Sequence, residues 1–269
     1  MLNMLKWLKD LDRILRGDAT NLQALQAGRI EIPVGGLAVV IVVLGLITGS
    51  CVGTFSVFRT GGPFFMQLLA STVKVPALFL LTLLVTFPSL YVFNALVGSR
   101  LMIGELLKLL VSSLGVTMAM LAAFGPIIAF FSVSTTSYPF MTLLNVLVFA
   151  FGGVLGLKFL LQTLHRLSLV SQEPVKHDVF RAESSPAKES PAEAPRPVDP
   201  AGALDRLEGH TLGKQVRLVF RLWVVVFALV GAQMSWVLRP FIGDPNRPFE
   251  WFRERQANFF QAVWSAFYN

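Results

Sequence analysis

The sequence predicts an all-α polytopic membrane protein, and three observations carry that prediction. Four apolar runs long enough to cross a bilayer follow one another between Leu37 and Leu164, a fifth lies at Leu218–Leu238, and the composition is 54% hydrophobic but only 14% charged. A helix needs about 20 apolar residues to cross about 30 Å of hydrocarbon. Leu37–Phe58, Val75–Val97, Leu106–Val133 and Tyr138–Leu161 each reach that length. Lipid offers no partner to a backbone N–H or C=O, so such runs must be helices or strands of a closed barrel, and none alternates with a period of two. Lys158, inside the fourth run, is close enough to a polar end to snorkel.

Composition also excludes function classes. The net charge of +7 could fit nucleic acid, but the basic residues gather beside the apolar runs, where positive charge orients membrane proteins; no nucleic-acid partner is expected. The single cysteine, Cys51, rules out an intrachain disulfide framework and a cysteine-rich zinc site. Charges interleave the first apolar stretch, so no cleavable signal peptide is expected.

Residues 1–34 read as an amphipathic helix and a loop. Met4, Trp7, Leu8, Leu11, Ile14 and Leu15 share one helical face, and Lys6, Lys9, Asp10, Arg13 and Arg16 the other. Trp7, Lys9 and Arg13 are the expected membrane-interface residues, although a helix packed on the rest of the protein would show the same pattern. A short extended piece is expected at Arg29–Pro33. Residues 35–165 form a four-helix transmembrane block. Its first span carries Gly45, Gly49 and Gly53 on one face at four-residue spacing, which lets another helix backbone approach closely. Gly152 and Gly156 in the fourth span are the natural partners within the chain, and a second copy of the protein is the alternative. The second span has Pro76 in its first turn and Pro88 at mid-length, and the third has Gly125-Pro126; Pro88, Gly125 and Pro126 predict kinks or breaks. Ser132–Tyr138 is a short uncharged connection between antiparallel spans.

Residues 166–205 read as a disordered linker rich in Pro, Ala and Glu, with six prolines in Ser171–Pro200. Residues 206–238 are a helix leading into the fifth span, which ends at Arg239-Pro240. Residues 239–269 are an aromatic-rich tail, too polar to cross. Arg239, Phe259, Phe260 and Trp264 are its expected interfacial residues. It is predicted to fold back with Phe259, Phe260, Val263 and Trp264 in the interface or against the loops after spans one and three.

The lysines and arginines set an orientation. Lys6, Lys9, Arg13, Arg16, Arg29, Arg100, Lys108 and every basic residue from Arg166 to Arg221 fall on one side. Arg59, Lys74, Arg239, Arg247, Arg253 and Arg255 fall on the other. The excess places the N-terminus and residues 166–217 in the cytoplasm and the tail outside a cell (inner) membrane.

No catalytic constellation stands out. Gly49-Ser50-Cys51-Val52-Gly53 has the spacing of a nucleophile elbow, but it lies inside a span, and His165, His177 and His210 all belong to the linker region. HExxH, cysteine-pair and phosphate-loop patterns are missing, so neither enzyme chemistry nor a cofactor is expected. Five spans with a cytoplasmic N-terminal region resemble the Yip1-like five-helix membrane proteins over Leu37–Leu238. That resemblance implies a role in membrane organisation and trafficking. Gly231-Ala232-Gln233-Met234-Ser235-Trp236 followed by Arg239-Pro240-Phe241 also resembles a segment of bacterial multi-span membrane proteins, and that likeness implies no function. The expected function is an integral membrane scaffold or complex subunit, partnered by the lipid bilayer and by a homo-oligomer or membrane-complex partner. The alternative is a transporter or channel for a small solute, with the kinked helices lining a cavity.

Overall fold

The computed structural model describes residues 2–17, 33–58, 64–96, 103–170, 203–244, 248–253, 259–261 and 264. The long helices are α1 (Leu2–Leu15), α2 (Val34–Val57), α3 (Phe64–Leu96), α4 (Ile103–Ser134), α5 (Tyr138–Val170) and α6 (Ala203–Leu238). Five stretches are long and apolar enough to cross a membrane: Val34–Val57, Phe65–Val92, Leu106–Ser134, Tyr138–Thr163 and Arg221–Leu238. The protein is a multi-pass helical membrane protein.

The five spans close into a ring that does not follow chain order. The first span, α2, packs on both α3 and α4; α4 packs on α5, α5 on α6, and α6 returns to α3. Amphipathic α1 lies against α2 and α4 at the end where α2 begins. The interior is apolar. Leu37, Val40, Ile41, Val52, Phe55, Leu121, Ile128 and Met141 form one buried cluster, and Leu90, Leu106, Leu109, Leu110, Leu160 and Trp223 a second. Phe79 of α3 stacks on Phe149 of α5 with centroids 6.0 Å apart. Many buried hydroxyls are satisfied within their own helices: Thr48, Thr82, Ser112, Ser132 and Thr163 each donate to the carbonyl four residues earlier. Bonding of this kind hides the hydroxyl without creating a polar track.

Several expectations need correction. The second span begins at Phe64, not Val75, so Pro76 sits deep inside a helix rather than in its first turn, and Lys74 lies within the span. Lys74 and Lys108 thus lie within the spans as well as Lys158, which is exposed, as snorkelling requires. The helices run unbroken through Pro88, Gly125 and Pro126. Both prolines are exposed on the outer surface of the bundle, where a missing N–H leaves the inward packing face intact.

The glycine face of the first span meets α3, not the fourth span. A Cβ on Gly45 would lie 2.8 Å from Pro76 Cβ, one on Gly49 2.6 Å from the Ser71 carbonyl oxygen, and one on Gly53 2.9 Å from a Leu68 methyl. Gly152 and Gly156 face α4 instead: a Cβ on Gly152 would lie 2.9 Å from Leu121, and one on Gly156 would collide with Thr117. Ser113 Oγ donates to the Gly156 carbonyl at 2.7 Å. Each set of glycines thus meets a span adjacent in sequence, α2 the one after it and α5 the one before it.

At the ends of the linker, α5 continues through Val170 and α6 begins at Ala203. The rest of that linker, residues 171–202, and the expected extended piece at Arg29–Pro33, apart from Pro33, lie outside the described residues.

Candidate functional site

The most polar buried place among the described residues is where the tail meets α3. Gln67, Ser71 and Lys74 fall at i, i+4 and i+7, on one helical face, and all three are buried, Lys74 to 3% exposure. They face a chain that has just left its helix. Pro240 cannot extend α6, and Arg239–Gly243 runs on without helical hydrogen bonds. Non-helical backbone at membrane depth persists only where protein groups satisfy its carbonyls, and the α3 face does so.

Gln67 Nε2 and Lys74 Nζ each donate to the Pro240 carbonyl at 3.2 Å. Ser71 Oγ donates to the Phe241 carbonyl, and Lys74 Nζ also donates to the carbonyl of Trp251. The ammonium lies 5.0 Å from the Phe252 ring centroid and 5.9 Å from that of Trp251. Carbonyl dipoles and aromatic faces both attract a cation, so a lysine that would be costly in lipid is held by carbonyls and rings, even with the Arg253 cation close by. Ile242 inserts into the same core cluster as Phe55, and a Cβ on Gly243 would lie 3.1 Å from Ser56 Cβ and 3.2 Å from Gln67 Cγ. Two further contacts tie the tail to itself: Arg253 N–H donates to the Arg239 carbonyl at 3.4 Å, and Arg253 pairs with Asp244 at 3.6 Å. The Arg239 guanidinium lies 3.4 Å from the Trp236 ring centroid.

The close seam between α2 and α3 is continuous with this site. Ser50 and Thr72 hydroxyls share a hydrogen bond of 3.1 Å across it. Pro76 has no N–H for the Thr72 carbonyl, and that oxygen would lie 2.9 Å from a Cβ on Gly49. Glycine there leaves room for an oxygen that the helix itself leaves without its usual partner.

The other anticipated residues scatter. Trp7 packs over Gly36 with room for no Cβ there, while Lys9 and Arg13 are exposed. Phe259 and Phe260 stack edge to face at 5.4 Å, and Phe260 and Trp264 are 53% and 66% exposed. The tail does fold back, but it docks through Arg239–Gly243 and Trp251–Phe252 onto the helices α2 and α3. Val263 and the loop residues 59–63 lie outside the described residues. Cys51 lies under Gly125, whose added Cβ would be 3.0 Å from its sulfur; the side chains of His165, His177 and His210 are likewise outside the described set.

Sequence reasoning missed the Lys74 site because it took a lysine and a glutamine as the edge of a span. One signal was present: Gln67, Ser71 and Lys74 repeat at helical spacing while Leu69, Val73 and Leu80 on the opposite side are apolar and exposed. Such a face is one polar stripe on an otherwise lipid-facing helix. Comparison with known protein families, with curated proteins and with solved structures finds no match in any of the three, so the Yip1-like resemblance rests on span count and orientation alone.

Proposed function

We propose that this protein is an integral membrane scaffold, or a fixed subunit of a membrane complex. Its closed bundle holds α1 at one end and the tail at the other. The observation that carries this reading is the filled centre of the ring, where Leu90, Leu106, Leu109, Leu110, Leu160 and Trp223 meet and Phe79 stacks on Phe149. A solute path needs polar groups or water along its axis, and the alternative of a transporter needed Pro88 and Gly125-Pro126 to line it; Gly125 is buried against Cys51. Both prolines are exposed on the outside of the bundle. The five-helix arrangement and its resemblance to Yip1-like proteins fit a membrane-organising role in the same direction.

The distribution of lysine and arginine supports a cell-membrane orientation with α1 and the segment between α5 and α6 in the cytoplasm and the tail outside. The experiment uses a Cys51→Ser background carrying Leu83→Cys or Leu110→Cys, treated in membranes with a charged thiol reagent. A scaffold leaves both positions unlabelled while a surface Arg16→Cys reacts. Labelling of the central cysteines at a comparable rate would favour the transporter. Affinity purification in mild detergent should then retain a stoichiometric partner, or a second copy of this chain.

A further inference from the structure

Helix α1 has three faces rather than two. Trp7, Leu11 and Ile14 turn into the bundle, with Leu11 4% and Ile14 1% exposed. Gly36 accommodates Trp7, and Leu11 reaches the backbone of α4 at Gly115, where an added Cβ would lie 3.2 Å from its methyl. Beside that face Leu5, Leu8 and Leu15 remain exposed. On the third face Lys6, Lys9 and Arg13 are exposed, and among the described residues none of them pairs with a carboxylate. Arg16 is taken by Asp12 at 2.9 Å, and Asp10 sits at the edge of the cationic row, half-buried. At the same end of the bundle Lys158 of α5 and Arg221 at the start of the fifth span are also exposed.

A helix docked in this way cannot roll, because glycines in two different spans fix its bundle-facing side. Its leucine edge therefore points towards the acyl layer and its cations towards the headgroups at a set height. We propose that α1 is a binding surface for anionic phospholipid headgroups, with Lys6, Lys9 and Arg13 contacting phosphate and Leu5, Leu8 and Leu15 seated among the upper acyl carbons. Charge complementarity selects this occupant: a row of unpaired cations next to exposed leucines suits a surface that is negative outside and apolar beneath. The other end of the bundle carries a different set, Phe58, Phe65, Trp251, Phe252, Phe260 and Trp264, exposed and aromatic. The two leaflets are thus met by different chemistry.

The test uses the full chain in nanodiscs of equal phosphatidylglycerol and phosphatidylcholine, released for native mass spectrometry so that retained lipids are counted by class. Each cation near an anionic surface is worth about fivefold in binding. Wild-type protein should therefore retain phosphatidylglycerol in about tenfold or greater excess, and Lys6→Gln/Lys9→Gln/Arg13→Gln should lose most of that excess. Phe260→Ala, at the opposite end, should keep it. Raising salt from about 50 to 500 mM shortens electrostatic reach, so wild-type enrichment should fall several-fold, and this arm does not depend on any variant folding. Equal retention of the two lipids by wild type, enrichment that survives in the triple variant, or enrichment indifferent to salt each overturns the proposal.

Discussion

Lys74 shows how a single residue changes meaning with its partners. Alone in lipid an ammonium is costly; here the carbonyls of Pro240 and Trp251 and the ring of Phe252 surround it. Lys74→Met keeps the bulk and removes the donor, leaving the Trp251 carbonyl short of its partner. Losing a hydrogen bond made by a charged group costs about 1.5–3 kcal/mol. Hydrogen exchange of the amides near residues 240–253 should accelerate in proportion while that of α4 stays unchanged; equal exchange in both proteins would show that Lys74 does not hold the tail. Gly49 makes the complementary case. A methyl there meets the Ser71 carbonyl oxygen at 2.6 Å and Thr72 Cα at 2.7 Å, both backbone, so the helices must part. Gly49→Ala should destabilise by about 1–3 kcal/mol, whereas Gly153→Ala, with nothing within 4 Å, should melt with wild type. Matching melting curves for all three proteins would remove the close seam from the account.

At the level of the element, what could be read from sequence was whatever depends on local composition. The expected runs Leu106–Val133 and Tyr138–Leu161 agree closely with the spans Leu106–Ser134 and Tyr138–Thr163 within α4 and α5 because hydrophobic length belongs to the run itself. The start of α3 was misplaced because Gln67, Ser71 and Lys74 look like an aqueous boundary until the tail, far along the chain, supplies their acceptors. Pairing was illegible for the same reason: the glycines of α2 and α5 announce a close approach but not the neighbour that makes it. Helix α6 was legible as a span, yet its fastening was not. Only 11% of its span is buried, and Trp223 is fully buried, donating its indole N–H to the Thr86 carbonyl at 3.3 Å. Trp223→Ala should cost about 3–5 kcal/mol through the cavity it leaves. Trp223→Phe should cost less, about 1 kcal/mol for the lost hydrogen bond together with a smaller packing loss. Thermal melts followed through a cysteine crosslink between α3 and α6 would measure both, and equal stability of the two variants would contradict an anchoring role for the indole.

The whole molecule is a ring whose spatial order, first, second, fifth, fourth, third, sets the last span between the second and the fourth. With five spans, α1 and the tail come to opposite ends, and the close of α5 and the start of α6 come to the α1 end. Protease added to sealed inverted vesicles should cut within residues 171–202, and protease added to intact cells should not. Cleavage from outside the cell would reverse the proposed orientation. The end at which the tail docks follows from contacts and survives either outcome, since Gly243 packs against Ser56 at the close of α2 whichever compartment lies beyond.

The bond from Lys74 to Pro240 joins residues 166 positions apart in the chain, and that distance is also an interval of time. At about 5–20 residues per second of synthesis, the second span emerges about 10–30 s before the residues that solvate its lysine exist. During that wait the ammonium must reach water or headgroups along its own stem, and α3 can settle to its final depth only when the tail arrives. Residues made later therefore complete a span inserted earlier. A chain cut short before Pro240 would hold the five spans described and still leave a membrane-embedded charge without its carbonyls.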